Sequence, residues 1–248
     1  MMSVKDKVVI VTGASSGIGA ATVELLVQQG AKVVFGARRQ DKLEQVAQNL
    51  PADQIAYRTV DVSEHDDVVA LVNLAKRKFG KIDALYNNAG IMPTANLAED
   101  HRNEWQNMLN INVMGVLNGI SAVLPIMHEQ GYGHILATDS VAGHIAYAGS
   151  AVYCGTKFAV RAIMEGLRQE ELKHKIRSTI ISPGAVNTEL YKSISDPKSA
   201  KELVTAWQQT PDSSLTPEDL AEAVVYAIGT PSRVSVSEIL IRPTDQEM

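Results

Sequence analysis

Short apolar runs rich in β-branched residues recur along the chain at 8–11, 32–35, 55–60, 84–87, 135–138, 179–182 and 238–241. Most are apolar at successive positions rather than at alternate ones. That pattern predicts strands covered on both faces, as in a parallel sheet. Between them lie stretches of helical periodicity at 17–29, 40–49, 63–79, 102–129, 151–174 and 217–228. Strand and helix signals in alternation predict right-handed βαβ units and an α/β fold with a doubly wound, seven-stranded parallel sheet and helices on both faces. No linker, repeat or low-complexity stretch divides residues 1–248, which predicts one domain. The segment 188–210 breaks the rhythm after Pro183-Gly184, with Pro197 and Pro211 as punctuation, and is expected to be a substrate-binding insertion at the sheet's carboxyl edge.

The turn after the first strand carries the first chemistry. Thr12-Gly13-Ala14-Ser15-Ser16-Gly17-Ile18-Gly19 leads from the strand into a helix. Gly13 would allow a tight turn, Gly17 a close approach of backbone to a pyrophosphate, and Gly19 close packing of helix on strand. The helix N-terminus then offers free N–H groups and partial positive charge to phosphates, in a Rossmann-type dinucleotide site. The spacing differs from the usual G-x-G-x-x-G, and a glycine-rich turn is by itself equally a structural feature. The second strand ends at Gly36-Ala37-Arg38-Arg39. A site for NAD wants an acidic residue near position 37. Alanine stands there, and a following guanidinium can grip a 2′-phosphate with paired N–H bonds, so NADP(H) is the expected cofactor. Arg39 either helps or opens the next helix. The bland alternative is a loop with two solvated arginines.

Tyr153 and Lys157 are four apart and share a helix face. An ordinary tyrosine titrates near about 10, too high for a base at neutrality, and a neighbouring ammonium favours its phenolate. Ser140 follows the strand at 135–138, at the edge where such sheets bind ligands, and could hold a substrate oxygen. Tyr-x-x-x-Lys alone more often marks an exposed helix face. The turn at 12–19, Asn87-Asn88-Ala89-Gly90, Asn112, Ser140, Tyr153, Lys157 and Pro183-Gly184 nevertheless come in one order. Together they resemble the short-chain dehydrogenase/reductase family in its short single-domain form, from Lys7 to about Pro243.

The resemblance implies an oxidoreductase moving a hydride between NADP(H) and an alcohol/carbonyl group of a small substrate. Tyr153 would be the acid/base, and Ser140 would polarise the carbonyl. Lys157 would lower the tyrosine pKa and bind the nicotinamide ribose, and Asn112 would hold a water in a proton relay. Gly13, Ser15, Ser16, Gly17, Ile18 and Gly19 would form the phosphate turn, with Arg38 and Arg39 beyond it. Asp61 and Val62 would meet the adenine, unless they simply end a strand before a helix capped by Ser63. Asn88, Ala89 and Gly90 would shape the cofactor floor, with Pro183, Gly184, Val186 and Thr188 opposite. The tail at 238–244 resembles a subgroup of 3-hydroxy acid and serine dehydrogenases. Where the family often has two serines, this chain has Asp139-Ser140. Strand alternation predicts that Asp139 points away from the substrate. His144 and Tyr147 could line the pocket or lie on the surface. Cys154, Trp105 and Trp207 read as packing residues.

Composition narrows the remaining classes. A net charge of −5 with 21% charged residues argues against nucleic acid or an anionic membrane as partner. The single cysteine excludes an intrachain disulfide and fits a reducing compartment. No metal is expected. No apolar stretch of about 18 residues is apparent, and the charged start leads into a strand rather than a signal sequence, so the expectation is the cytoplasm. Apolar positions on the helices at 102–129 and 151–174 predict a homo-oligomer, a tetramer or dimer. The alternatives are a cofactor-binding sensor or scaffold, a nucleotide-sugar epimerase or dehydratase with too little room for its substrate domain, and a ketoacyl-carrier-protein reductase, which would need a basic patch at the mouth of the site.

Overall fold

The structure, a computed structural model, describes residues 2–194, 201, 205 and 214–246. Seven parallel strands form one sheet: β1 (Val8–Thr12), β2 (Lys32–Ala37), β3 (Ile55–Thr59), β4 (Ala84–Asn87), β5 (Gly133–Thr138), β6 (Ile176–Pro183) and β7 (Glu238–Ile241). Their order is β3-β2-β1-β4-β5-β6-β7, so the direction of winding reverses between β1 and β4. Ligands bind at the carboxyl ends beside such a reversal.

The near-continuous apolar runs are explained by a core on each face. Val9 and Val11 of β1 join one cluster, while Val8 and Ile10 join the other. The first cluster is closed by α1 (Gly17–Gln28), α2 (Gln40–Ala47) and α7 (Pro217–Gly229), through residues such as Leu26, Leu43 and Val224. The second is closed by α3 (His65–Phe79), α5 (Gly115–Gln130) and α6 (Ala151–Glu170), through Leu71, Val123 and Met164.

Several expected boundaries move. The helix expected from 63 starts at His65, with Glu64 as its N-cap and no side-chain cap. Ser63 instead bonds back to Asp61. The helix expected at 151–174 ends at Glu170 and continues as a 3-10 turn, Leu172–His174. The helix expected at 102–129 is α4 (Arg102–Met108), a π-helical turn (Leu109–Met114) and α5. The whole stretch Arg102–Gln130 is also long and apolar enough to cross a membrane by length and composition, contrary to the sequence expectation. Its polar interruptions Asn112 and Asn118 are buried, and α5 packs on α3 and the sheet, which is what a core helix does. Of the expected insertion, the 3-10 turn Glu189–Ser193 is described; 195–200, 202–204 and 206–213, with Trp207, lie outside the described residues.

Candidate active site

A cavity of about 780 Å³ opens at the carboxyl edge of the sheet, within the ordinary range for small-molecule sites. It is lined by all the residues assigned above to catalysis or cofactor binding except Gly19 and Asn112.

At one end is the turn from β1 into α1. Gly13 has φ 67°, and a Cβ there would stand 2.6 Å from Ala89 Cα. A Cβ on Gly19 would meet Gly13 O at 2.5 Å and Asn88 Nδ2 at 2.6 Å. Gly19 therefore shapes the turn from behind rather than from the cavity. Asn88 staples the turn by donating to Thr12 O (3.2 Å) and Gly13 O (3.3 Å), and it accepts from Thr138 Oγ1 (3.1 Å). Ser16, the N-cap of α1, makes no side-chain bond to the helix. Its hydroxyl and that of Ser15 accept instead from Arg39 Nη2, at 2.9 and 3.0 Å. Arg39 also pairs with Glu189 at 3.0 Å, and Lys192 binds the same carboxylate. These two cations hold the Glu189 carboxyl down to about 2. Arg38 lines the cavity and has no ion pair among the described residues. Asp61 lines it too, with Oδ1 accepting from Ser63 N (3.0 Å) and Oγ (2.7 Å).

At the other end α6 begins just past Ser150 and brings Tyr153 and Lys157, both buried, to one face. Ser140 Oγ accepts from Ala142 N at 3.1 Å and is hydrogen-bonded to the Tyr153 hydroxyl. Burial pushes the Tyr153 phenol up, and the Ser140 bond opposes that shift. Burial also pushes the Lys157 ammonium down to about 8, while Asp139 pulls it up. Its Nζ donates to Thr138 O at 2.8 Å and sits 5.6 Å from the Tyr153 ring centroid. In the protein alone, then, desolvation outweighs the Ser140 bond, and the phenol keeps its proton.

Asn112 is buried in the π-turn, where both amide protons are committed, to Ile91 O (2.9 Å) and Thr156 Oγ1 (3.1 Å), and its Oδ1 accepts from Ile91 N (2.9 Å). The side chain pins the segment after Gly90 to α6. The Asp139 carboxylate accepts from Ser182 Oγ (3.4 Å) and lies 3.7 Å from Arg161, yet it also lines the cavity rather than pointing away from it. Its charge acts on both Tyr153 and Lys157. Its Oδ1 has no hydrogen-bond partner among the described residues, and burial pushes its carboxyl up to about 6. Tyr147 lines the cavity, whereas His144 pairs with Glu238 at 2.8 Å. Cys154 is buried and free, and it packs with Met108 and Trp105.

The sequence reading missed other walls. Ile91 and Met92 follow the Asn88-Ala89-Gly90 turn directly, which is a signal that could have been used. Leu190, Tyr191 and Ser193 come from the 3-10 turn Glu189–Ser193, inside the expected insertion at 188–210, and Ser193 Oγ accepts from Met92 N at 2.8 Å. Gln246, whose Oε1 accepts from Ala185 N at 2.8 Å, reaches the cavity from the far end of the chain.

The sequence profile for short chain dehydrogenase matches residues 7–199. An uncharacterized oxidoreductase of Staphylococcus saprophyticus is 50% identical over 250 residues, covering 100% of both chains. The closed form of serine dehydrogenase complexed with NADP+ is 33% identical with a TM-score of 0.89, covering 97% of this chain and 96% of that one. A short-chain dehydrogenase/reductase from Burkholderia phymatum in complex with NAD is 28% identical with a TM-score of 0.83, covering 97% and 90%. With its seven-stranded parallel sheet and the matched region spanning most of its length, the chain belongs to the short-chain dehydrogenase/reductase family and is an oxidoreductase.

Proposed function

We propose that this chain is an NADP(H)-dependent dehydrogenase/reductase that moves a hydride between the nicotinamide and an alcohol/carbonyl pair on a small substrate, with Tyr153 as acid/base. The observation that carries this reading is one cavity holding Ser140, Tyr153 and Lys157 at one end and the glycine turn with two arginines at the other. The residues fit a dinucleotide phosphate. The N-cap of α1 leaves the first-turn N–H groups uncapped by its side chain, and such groups bind phosphate oxygens. Gly13, Ser15, Ser16, Gly17 and Ile18 would hold the pyrophosphate, and Arg38 with Arg39 would hold a 2′-phosphate. Asp61 and Val62 would face the adenine. Asn88, Ala89, Gly90, Lys157, Pro183, Gly184, Val186 and Thr188 would carry the nicotinamide half.

When bound, the reduced nicotinamide supplies the hydride for the carbonyl carbon. The protein's part is the proton. Tyr153 gives its hydroxyl proton to the substrate oxygen, which Ser140 Oγ holds by a hydrogen bond. The Lys157 ammonium then stabilises the phenolate left behind. The substrate end is walled by Ile91, Met92, Val141, Leu190 and Tyr191, which favours a small, largely apolar carbonyl compound. A carrier-protein substrate is disfavoured, since Arg102 pairs with Asp100 at 2.8 Å and Arg161 pairs with Glu238, leaving neither as a free basic contact.

We read residues 1–248 as one catalytic domain with a substrate-binding insertion around 188–210, located in the cytoplasm. Outward-facing Leu109, Met114 and Phe158 on the 102–130 helix and α6 support a tetramer or dimer. The test of the central claim is Tyr153→Phe, followed by NADPH oxidation with a panel of aldehydes and ketones. Turnover should fall at least about 100-fold, while NADPH binding by fluorescence is retained. More than about a tenth of the activity remaining would remove Tyr153 from the mechanism.

A further inference from the structure

Away from the cavity, α5 and α6 end side by side. His128 lies in the last turn of α5, Glu171 caps α6, and His174 closes the following 3-10 turn. That turn is held back on itself by His174 N to Glu171 O (3.0 Å) and by Lys175, left-handed at φ 56°. The two imidazoles consequently stack, with ring centroids 4.0 Å apart and a tilt of 34°. His128 Nε2 and His174 Nδ1 reach the same atom, Glu171 Oε2, at 2.7 and 2.9 Å. The Glu171 side chain is 10% exposed, and the imidazoles are 38% and 48% exposed.

We propose that His128, Glu171 and His174 form a binding site for one divalent transition-metal ion of zinc type, separate from the catalytic cavity. Three features support it. The ligand atoms already lie within 4.8 Å of one another. Around a tetrahedral ion with bonds of about 2.0–2.1 Å, ligand atoms stand roughly 3.3 Å apart, so closing the site needs only small ring movements. Two imidazole nitrogens and one carboxylate oxygen are a ligand set zinc accepts, with water in the fourth position. Finally, the site sits where two helices end, and their unpaired carbonyl ends favour a cation. The other group of similar composition, Asp139, His144 and Glu238, already has the Arg161 guanidinium among its oxygens and has no need of a metal.

The test uses the untagged full-length protein after treatment with a chelator. Titration with Zn2+ should give one ion per chain, and Co2+ in its place should give the visible absorption of a four-coordinate site. At a metal concentration a hundredfold above Kd, the melting temperature should rise by about 5–10 °C. His128→Gln and His174→Gln, which change partly exposed rings, should each abolish stoichiometric binding and the Co2+ spectrum. His144→Ala should leave both intact. Substoichiometric binding, a Co2+ spectrum unchanged in His174→Gln, or loss of binding in His144→Ala would overturn the proposal. Catalytic activity does not enter the readout, so failure here leaves the oxidoreductase reading untouched.

Discussion

Asp139→Asn is expected to stabilise the fold near neutral pH. The carboxylate is buried beneath the 3-10 turn Val141–Gly143, so close that a Cβ on Gly143 would stand 2.4 Å from both oxygens. Burial raises its pKa from 3.8 to about 6, against the pull of Lys157, Arg161 and Ser182 and with a push from Glu238. The folded state therefore holds this proton more tightly than the unfolded chain does. The cost of the charge is absent below about 3.8, grows through the interval, and is fully present above about 6. At 1.36 kcal/mol per unit, the interval is worth about 3 kcal/mol. Asparagine has the shape of the protonated acid and keeps a partner for Ser182. It should add about 3 kcal/mol near pH ~7.5 and about 1 kcal/mol near pH ~4.5. For a chain of this size the larger figure corresponds to a rise of about 6–12 °C in Tm. Urea and thermal unfolding of both proteins at the two pH values would measure the difference. A gain that does not grow with pH, or a loss near pH ~7.5, would refute the reasoning, and would mean that the attraction of Asp139 for Lys157 and Arg161 exceeds its desolvation cost.

Wild type should favour NADPH over NADH in kcat/KM, and Arg38→Ala should shrink that ratio. Glu189→Gln, which frees Arg39 from its carboxylate, should enlarge it, and an unchanged ratio in both variants would remove these residues from cofactor selection. Gly19→Ala drives a methyl into Gly13 O and Asn88, so it should cost about 1–3 kcal/mol and weaken cofactor binding; a wild-type melt with normal NADPH affinity would contradict the packing described. Met114→Glu together with Phe158→Glu should lower the mass seen by light scattering at micromolar concentration, whereas a monomeric wild type would reject the oligomer outright.

The sheet and the cavity were legible because each rests on local pattern. Short apolar runs, most of them β-branched, mark β1 to β7, and the glycine turn, Ser140, Tyr153 and Lys157 follow one order along the chain. Features made by long-range side-chain pairing were not legible. Arg39 meets Glu189 across 150 residues, and nothing in either local sequence announces the pair. Gln246 enters the site from a tail whose course depends on where β7 ends. His128 and His174 are brought together by the common end of two helices, and no local spacing marks residues so far apart in the chain. The electrostatics also escaped. The burial that raises the Tyr153 phenol cannot be read from the spacing of Tyr153 and Lys157.

The π-turn at Leu109–Met114 gives one helix two rotational settings. An α-helix advances about 100° per residue, and a π-turn accommodates one residue more than the α-helical repeat would. α4 is keyed to α6 and the catalytic side, while α5 is keyed to α3 and the sheet. Gly115 and Gly119 are the teeth of the second setting, since a Cβ on them would stand 2.8 Å from Val62 Cγ2 and 2.1 Å from Asn87 Oδ1. Were 109–114 to run as plain α-helix with no residue lost, α5 would swing by about 100° and drive bulkier side chains into both gaps. The π-turn thus absorbs one extra residue and lets the catalytic wall and the core keep separate settings along one helix.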